Sequence, residues 1–278
     1  METRLHLDIL PQPNNSTCGP TCLHAVYRHW DDELPLARVI REIPELEEGG
    51  TLAVLLGSHA LARGYEATIY TYDLRVFDPT WFEPRDDSRR LDTPSETGSV
   101  PQPVERARAT PAARAEWLAE RLRAQRAVKP QPKLHQATDA YLEFLRLGGR
   151  LKMEDLTGSL IRRYLKRSIP ILTGLSATYL YHERREYGPQ SIPDDVRGFP
   201  AGHFVVLCGY DKVNHTVLVA DPLQPNPLSP DDAQYFVPLD RVLSAIMLGS
   251  LTYDANLLII EPAKSPKRAS SAHSHRRQ

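Results

Sequence analysis

Residues 12–30 read Gln-Pro-Asn-Asn-Ser-Thr-Cys-Gly-Pro-Thr-Cys-Leu-His-Ala-Val-Tyr-Arg-His-Trp, a polar loop, a cysteine and then a helix. Asn15, Ser16 and Thr17 are residue types that cap helix N-termini, and Pro20 suits a first turn. Leu23, Val26, Tyr27 and Trp30 recur at helical spacing as a buried stripe. The helix therefore begins at Cys18. A thiol there meets unpaired backbone N–H groups and the positive end of the helix dipole, which favour the nucleophilic thiolate. Cys22, one turn further in, is expected as a small core residue.

The chain has three cysteines and ten histidines. A redox site would want Cys-Gly-Pro-Cys, and Thr21 breaks that spacing. Zinc is disfavoured because no second cysteine pair follows and Cys208 stands alone in an expected strand. Among the histidines, His24 lies around 240° round the helix from Cys18 and His29 is three turns away, so neither reaches the thiol easily.

His203 is better placed. The strand after it runs to about Cys208, Gly209-Tyr210-Asp211 starts a turn, and a second strand resumes near Thr216 and ends at Asp221. In a hairpin centred on residue 212, His203 and Asp221 are directly opposed, on one face, with Cβ atoms about 4.5–5.5 Å apart. An aspartate beside a histidine fixes its tautomer and favours the imidazolium. A one-residue slip would turn Asp221 to the other face. Two competing readings stay open: Asp221 forming only an Asp-Pro turn, and Asp211 or Asn214 orienting the base instead.

Gln12 in its polar loop, Cys18-Gly-Pro-Thr-Cys22, Gly202-His-Phe-Val-Val-Leu207 and Val219-Ala-Asp-Pro222 together resemble the bacteriocin-processing (double-glycine-leader) peptidase family, whose fold is that of the papain-like cysteine peptidases. The resemblance covers roughly residues 5–75 and 150–260. It implies Cys18 as nucleophile, His203 as base, Asp221 as the group orienting it, and Gln12 as an oxyanion-hole donor. By spacing alone Gln12 reads as a solvated glutamine. Many members of that family are domains of membrane exporters that carry an ATPase; this sequence shows neither part, so a stand-alone form is expected.

The remaining composition is that of an ordinary soluble protein, 41% hydrophobic and 25% charged over 278 residues. A net charge of −1 gives no general case for nucleic-acid or membrane attraction. The N-terminus lacks the apolar run of a signal peptide, and no stretch approaches the ~18 apolar residues that span a bilayer. With an odd number of cysteines, a reducing, cytoplasmic location is expected.

Helices are expected over Leu34–Ile43, Thr51–Arg63, Ala137–Leu147, Met153–Arg167 and Leu239–Leu248. Strands are expected over Tyr65–Thr71, Ile169–Leu175, Phe204–Cys208, Thr216–Ala220, Tyr235–Val237 and Leu257–Ile260. This gives an α+β class, with a helical lobe carrying the Cys18 helix packed against an antiparallel sheet lobe. Residues 1–262 form a single domain in this reading. The Pro- and Arg-rich stretch 83–135, with one plausible helix at Ala112–Ala127, is expected as an exposed insertion, either inert or a lid or partner-docking arm. Residues 263–278 are expected as a disordered basic tail. Ser176–Gly202, which holds Tyr179, Tyr181, His182 and Tyr187, is expected to border a substrate cleft.

The expected activity is that of a metal-independent, cofactor-free cysteine hydrolase, a peptidase acting on a peptide or amide bond through a Cys18 thioester. Two alternatives share the residues: an acyltransferase that passes the thioester to an amine, and an inactive binding module.

Overall fold

The computed structural model of the chain describes residues 2–46, 49–83, 110–253 and 255–263. After strand β1 (Glu2–Arg4) and a loop comes helix α1 (Cys18–His29), which starts at the cysteine as its sequence requires. Leu23, Val26 and Tyr27 are fully buried along it, each contributing about 1.5–3 kcal/mol through removed apolar surface. Gly19 lets its first turn approach the sheet closely, since a Cβ there would meet Thr51 Cγ2 at 2.6 Å and the Phe204 ring at 3.3 Å. Helices α2 (Leu36–Glu42) and α3 (Ala53–Ala62) follow, and then strand β2 (Tyr65–Thr71).

The stretch expected as an exposed insertion is otherwise where it is described. Helices α4 (Pro111–Val128) and α5 (Pro132–Arg146) pack on one another, and Leu118, Ala119, Leu122 and Leu134 are buried. A narrow stripe suffices because α4 covers one flank of the core rather than crossing it. Side-chain bonds tie it down: Trp117 Nε1 donates to the Trp81 carbonyl at 3.2 Å and Gln125 Nε2 to that of Val76 at 2.9 Å. Residues 84–109, the rest of the expected insertion, lie outside the described residues, as does the expected tail beyond Ala263.

Strand β3 (Arg150–Lys152) was not expected, and helix α6 (Gly158–Leu165) is shorter than the predicted Met153–Arg167. Its start is set by Thr157, whose hydroxyl accepts from Leu160 N at 3.2 Å. Strand β4 (Ile171–Ser176) leads into the short helix α7 (Ala177–Tyr181) and a small hairpin, β5 (Glu186–Tyr187) with β6 (Ile192–Pro193). Strands β7 (Gly202–Asp211), β8 (Thr216–Ala220) and β9 (Gln234–Pro238), helix α8 (Leu239–Leu248) and strand β10 (Asn256–Pro262) follow, and short 3-10 turns lie at Pro79–Trp81 and Gly249–Thr252.

One sheet runs β3-β2-β10-β4-β7-β8-β9, with β1 also paired to β7. Every pair in it is antiparallel except β2 with β3. Strand β2, from the helical N-terminal part, thus lies inside the sheet. The class is α+β, with the cysteine-bearing helix α1 packed on β7, the arrangement implied by the papain-like resemblance.

The β7–β8 hairpin corrects the expected register. The ladder closes at Asp211↔Thr216, so the turn is centred beyond residue 212, and the register then shifts between Gly209↔Leu218 and Leu207↔Val219. Cys208 is the extra residue, a β-bulge. Extending the ladder one step past Val206↔Ala220 sets Asp221 beside Val205, not His203. Val205 and His203 are two residues apart and share a face. Without the bulge the same extension would reach Val206, on the other face. Gly209 beside the bulge accommodates β1, because a Cβ there would lie 2.5 Å from the Thr3 carbonyl oxygen.

Candidate active site

Cys18 is the first residue of α1 and is buried to 8% exposure. Thr17 occupies the N-cap position but does not cap; its hydroxyl donates instead to the Asn14 carbonyl at 3.0 Å. Among the described residues, then, no side chain caps the N–H groups of the first turn. The positive end of the helix stays open at the thiol. Cys22 Sγ lies fully buried and donates to the Phe204 carbonyl at 3.2 Å. Burial, then its neighbours Cys18 and Asp221, push its thiol well up. Cys208 is also buried, and burial raises its thiol to about 12.

His203 is the second residue of β7, and its Nε2 lies 2.9 Å from Asp221 Oδ1. Cys18 is near enough to influence the imidazole, and because Nε2 is taken up by the carboxylate, Nδ1 is the nitrogen left for the thiol. Burial opposes a charged imidazole, but the Asp221 carboxylate and then Cys18 outweigh it and raise His203 to about 10. Burial likewise opposes the Asp221 charge, and His203, Tyr235 and Tyr181 outweigh it, holding the carboxyl at about 2.

Asp221 is fully buried and accepts four hydrogen bonds: His203 Nε2 at 2.9 Å and Leu223 N at 3.0 Å on Oδ1, and Tyr181 Oη at 2.7 Å and Tyr235 Oη at 2.6 Å on Oδ2. The sequence reading missed the two tyrosines as partners of Asp221. Tyr181 was expected at a cleft edge, yet it is buried; Tyr235 was expected only as a strand residue. Strand β9 pairs Tyr235 with Val219, two residues before Asp221 and therefore on the same face, a register that the sequence alone does not give.

Gln12 lies beside this cluster through its backbone, whose N–H donates to the Pro222 carbonyl at 2.8 Å. Its side-chain amide donates to the Asn14 carbonyl at 3.0 Å, and its Oε1 is buried without a partner among the described residues. The disfavoured histidines lie elsewhere: His29 bonds the carbonyls of His6 and Ser168, and His24 faces Arg28 and Leu34. Asp211 and Asn214 bond one another within the turn. Of the segment before His203, Tyr179 lines an open groove with Tyr72, Met153, Leu156 and Met247. Among the described residues no group of three or more His, Cys, Asp or Glu side chains is placed to hold a metal, and no helix is long and apolar enough to cross a membrane.

The family model described as Peptidase_C39 like matches residues 126–234. That segment contains His203 and Asp221; Cys18 and Gln12 lie before it. No curated protein matches the chain. Among solved structures it is similar, at 13% identity in each case, to a double glycine motif protease from an AMS/PCAT transporter in complex with the leader peptide, with a TM-score of 0.41 over 94% of this chain and 95% of that one. Two further likenesses are the peptidase domain of Streptococcus ComA, a bi-functional ABC transporter involved in a quorum-sensing pathway (0.40; 93% and 100%), and xylellain, a cysteine protease from Xylella fastidiosa (0.42; 95% and 86%). Over residues 126–234 the chain is similar to the Peptidase_C39 like family, and that match supports a cysteine-type peptidase.

Proposed function

We propose that the protein hydrolyses a peptide or amide bond through a Cys18 thioester, with His203 as general base and acid, Asp221 as its orienting carboxylate and Gln12 as an oxyanion donor. The observation that carries this is the convergence on His203 of a helix-terminal thiol and a buried carboxylate. The family match over residues 126–234 agrees with it.

The steps follow from the atoms. His203 Nδ1 holds the proton of Cys18 as imidazolium, and Sγ adds to the substrate carbonyl carbon, driving its electron pair onto oxygen. The oxyanion meets the Cys18 backbone N–H at the open helix end and the second N–H of the Gln12 amide, the first being bound to Asn14. Nδ1–H then passes its proton to the leaving nitrogen as the C–N bond breaks, leaving a thioester. Water, deprotonated by the now neutral imidazole, adds to the thioester carbonyl. Collapse expels Sγ and releases the carboxylic acid. Throughout, the Nε2–H bond to Asp221 fixes the tautomer and stabilises the imidazolium.

The test is product analysis with a mixed peptide library in H2-18O. The expected result is paired new amines and 18O-labelled carboxylates from the wild type and none from Cys18→Ala. Transfer of the acyl group to an added amine with no labelled acid would replace hydrolysis by acyl transfer. No turnover, together with no trapping of Cys18 by a peptidyl electrophile, would overturn both.

A further inference from the structure

The carboxylate that orients His203 is itself held from behind. Oδ1, facing the histidine, has the Leu223 N–H as its second donor, while Oδ2 is met by two phenols from separate elements, Tyr181 of α7 and Tyr235 of β9. The terminal torsion of an aspartate is broad and roughly two-fold, so the two donors at Oδ1 leave the place of Oδ2 to be set by its own partners. Two donors converging on the far oxygen set it. A phenylalanine at either position would fill nearly the same volume, so packing alone does not account for the hydroxyls.

We propose that Tyr181 and Tyr235 are positioning residues, a two-point clamp on Asp221 Oδ2 that aims Oδ1 at His203 Nε2 and thereby keeps the imidazole turned toward Cys18. This deepens the assignment of Asp221 as orienting carboxylate and rests on it. Three further facts fit. The Tyr181 ring lies beside the imidazole, with centroids 6.0 Å apart. Burial, then the Asp221 charge, raises both phenols above their ordinary range, so they remain donors at any working pH. And the clamp spans the fold: Tyr235 sits in the sheet, whereas Tyr181 ends the short helix that leads into the segment before His203.

The test uses the full chain labelled with 15N-histidine and needs no substrate. In the wild type the clamp predicts a slowly exchanging, low-field Nε2–H resonance, assigned to His203 by its loss in His203→Ala, and labelling of Cys18 by iodoacetamide at pH ~6. In Tyr181→Phe/Tyr235→Phe the resonance should broaden or vanish, and Cys18 labelling should slow by about tenfold or more, the scale of one lost bond to a charged group. Melting should remain cooperative. A merely structural role would lower the melting temperature and leave the resonance and labelling rate as in the wild type, which would overturn the proposal. If the double variant does not fold, each single variant, with one donor left, must show an intermediate resonance and rate; wild-type behaviour in both would equally overturn it. Should wild-type Cys18 label no faster than Cys22, the peptidase reading fails, while the resonance comparison still decides the clamp.

Discussion

His203 and Asp221 share a hydrogen bond of 2.9 Å, Nε2 to Oδ1, although their backbones are not opposed in the sheet. Cys208 is the one extra residue in β7, and the odd shift of register that it introduces carries Asp221 onto the face of His203. Deleting it would join Leu207 to Gly209 and leave Leu207↔Val219 and Val206↔Ala220 in place. The deletion is therefore expected to give protein that, where it folds, keeps the low-field His203 resonance and the selective Cys18 alkylation; loss of both would mean that the bulged backbone itself, and not the register beyond it, sets the pairing.

Replacement of the reacting groups should separate chemistry from folding. Cys18→Ala and His203→Ala are expected to abolish peptide hydrolysis while circular dichroism keeps the wild-type fold; Cys18→Ala should melt near wild type, and His203→Ala lower, because Asp221 is left buried without its charged partner. Asp221→Ala should cost less turnover than either, since it orients the base without reacting. Cys22→Ser should retain most activity, because its thiol is buried one turn inside and bonded to a backbone carbonyl.

The pH dependence of stability carries two signs. His203 is raised to about 10 from an ordinary 6.5, so its contribution is fully present below the unfolded value and is lost as pH rises toward 10. Asp221 is lowered to about 2, so its contribution is present above the ordinary carboxylate value near ~3.9 and lost as pH falls toward 2. Urea titrations should show the advantage of wild type over His203→Gln shrinking between pH ~6.5 and 10. A pH-independent difference would show that the imidazole is not charged in the folded state.

Helix α4 gives a prediction about the core. Leu122 is fully buried, and Leu122→Ala should lower stability by about 2–5 kcal/mol, measured by denaturant unfolding. A change below about 0.5 kcal/mol would return the helix to the status of an exposed arm.

What the sequence made legible follows from how local each signal is. Helix α1 declares itself through Cys18-Gly-Pro and its apolar stripe, and α8 and β8 follow from their periodicity, all within a few residues. The shared face of His203 and Asp221 was also readable, but for an imperfect reason: the centre of the hairpin was misplaced, and the unseen bulge at Cys208 left a net offset of two residues, which preserves the face. The Asp221 clamp was not readable, because a tyrosine in a strand or short helix looks like packing until a distant partner for its hydroxyl is known. Helix α4 was misread because polar residues surround Leu118 and Leu122, and the narrowness of the stripe hid its burial.

The central claim is that Cys18, alone of the three thiols, is held as a reactive nucleophile by His203. Iodoacetamide labelling at pH ~6, followed by mass spectrometry of the cysteine peptides, tests it most directly. Cys18 should be modified well before Cys22 and Cys208, whose buried thiols are both raised, and the preference should collapse in His203→Ala. Equal, slow labelling of all three cysteines, or a Cys18 rate indifferent to His203, would contradict the account.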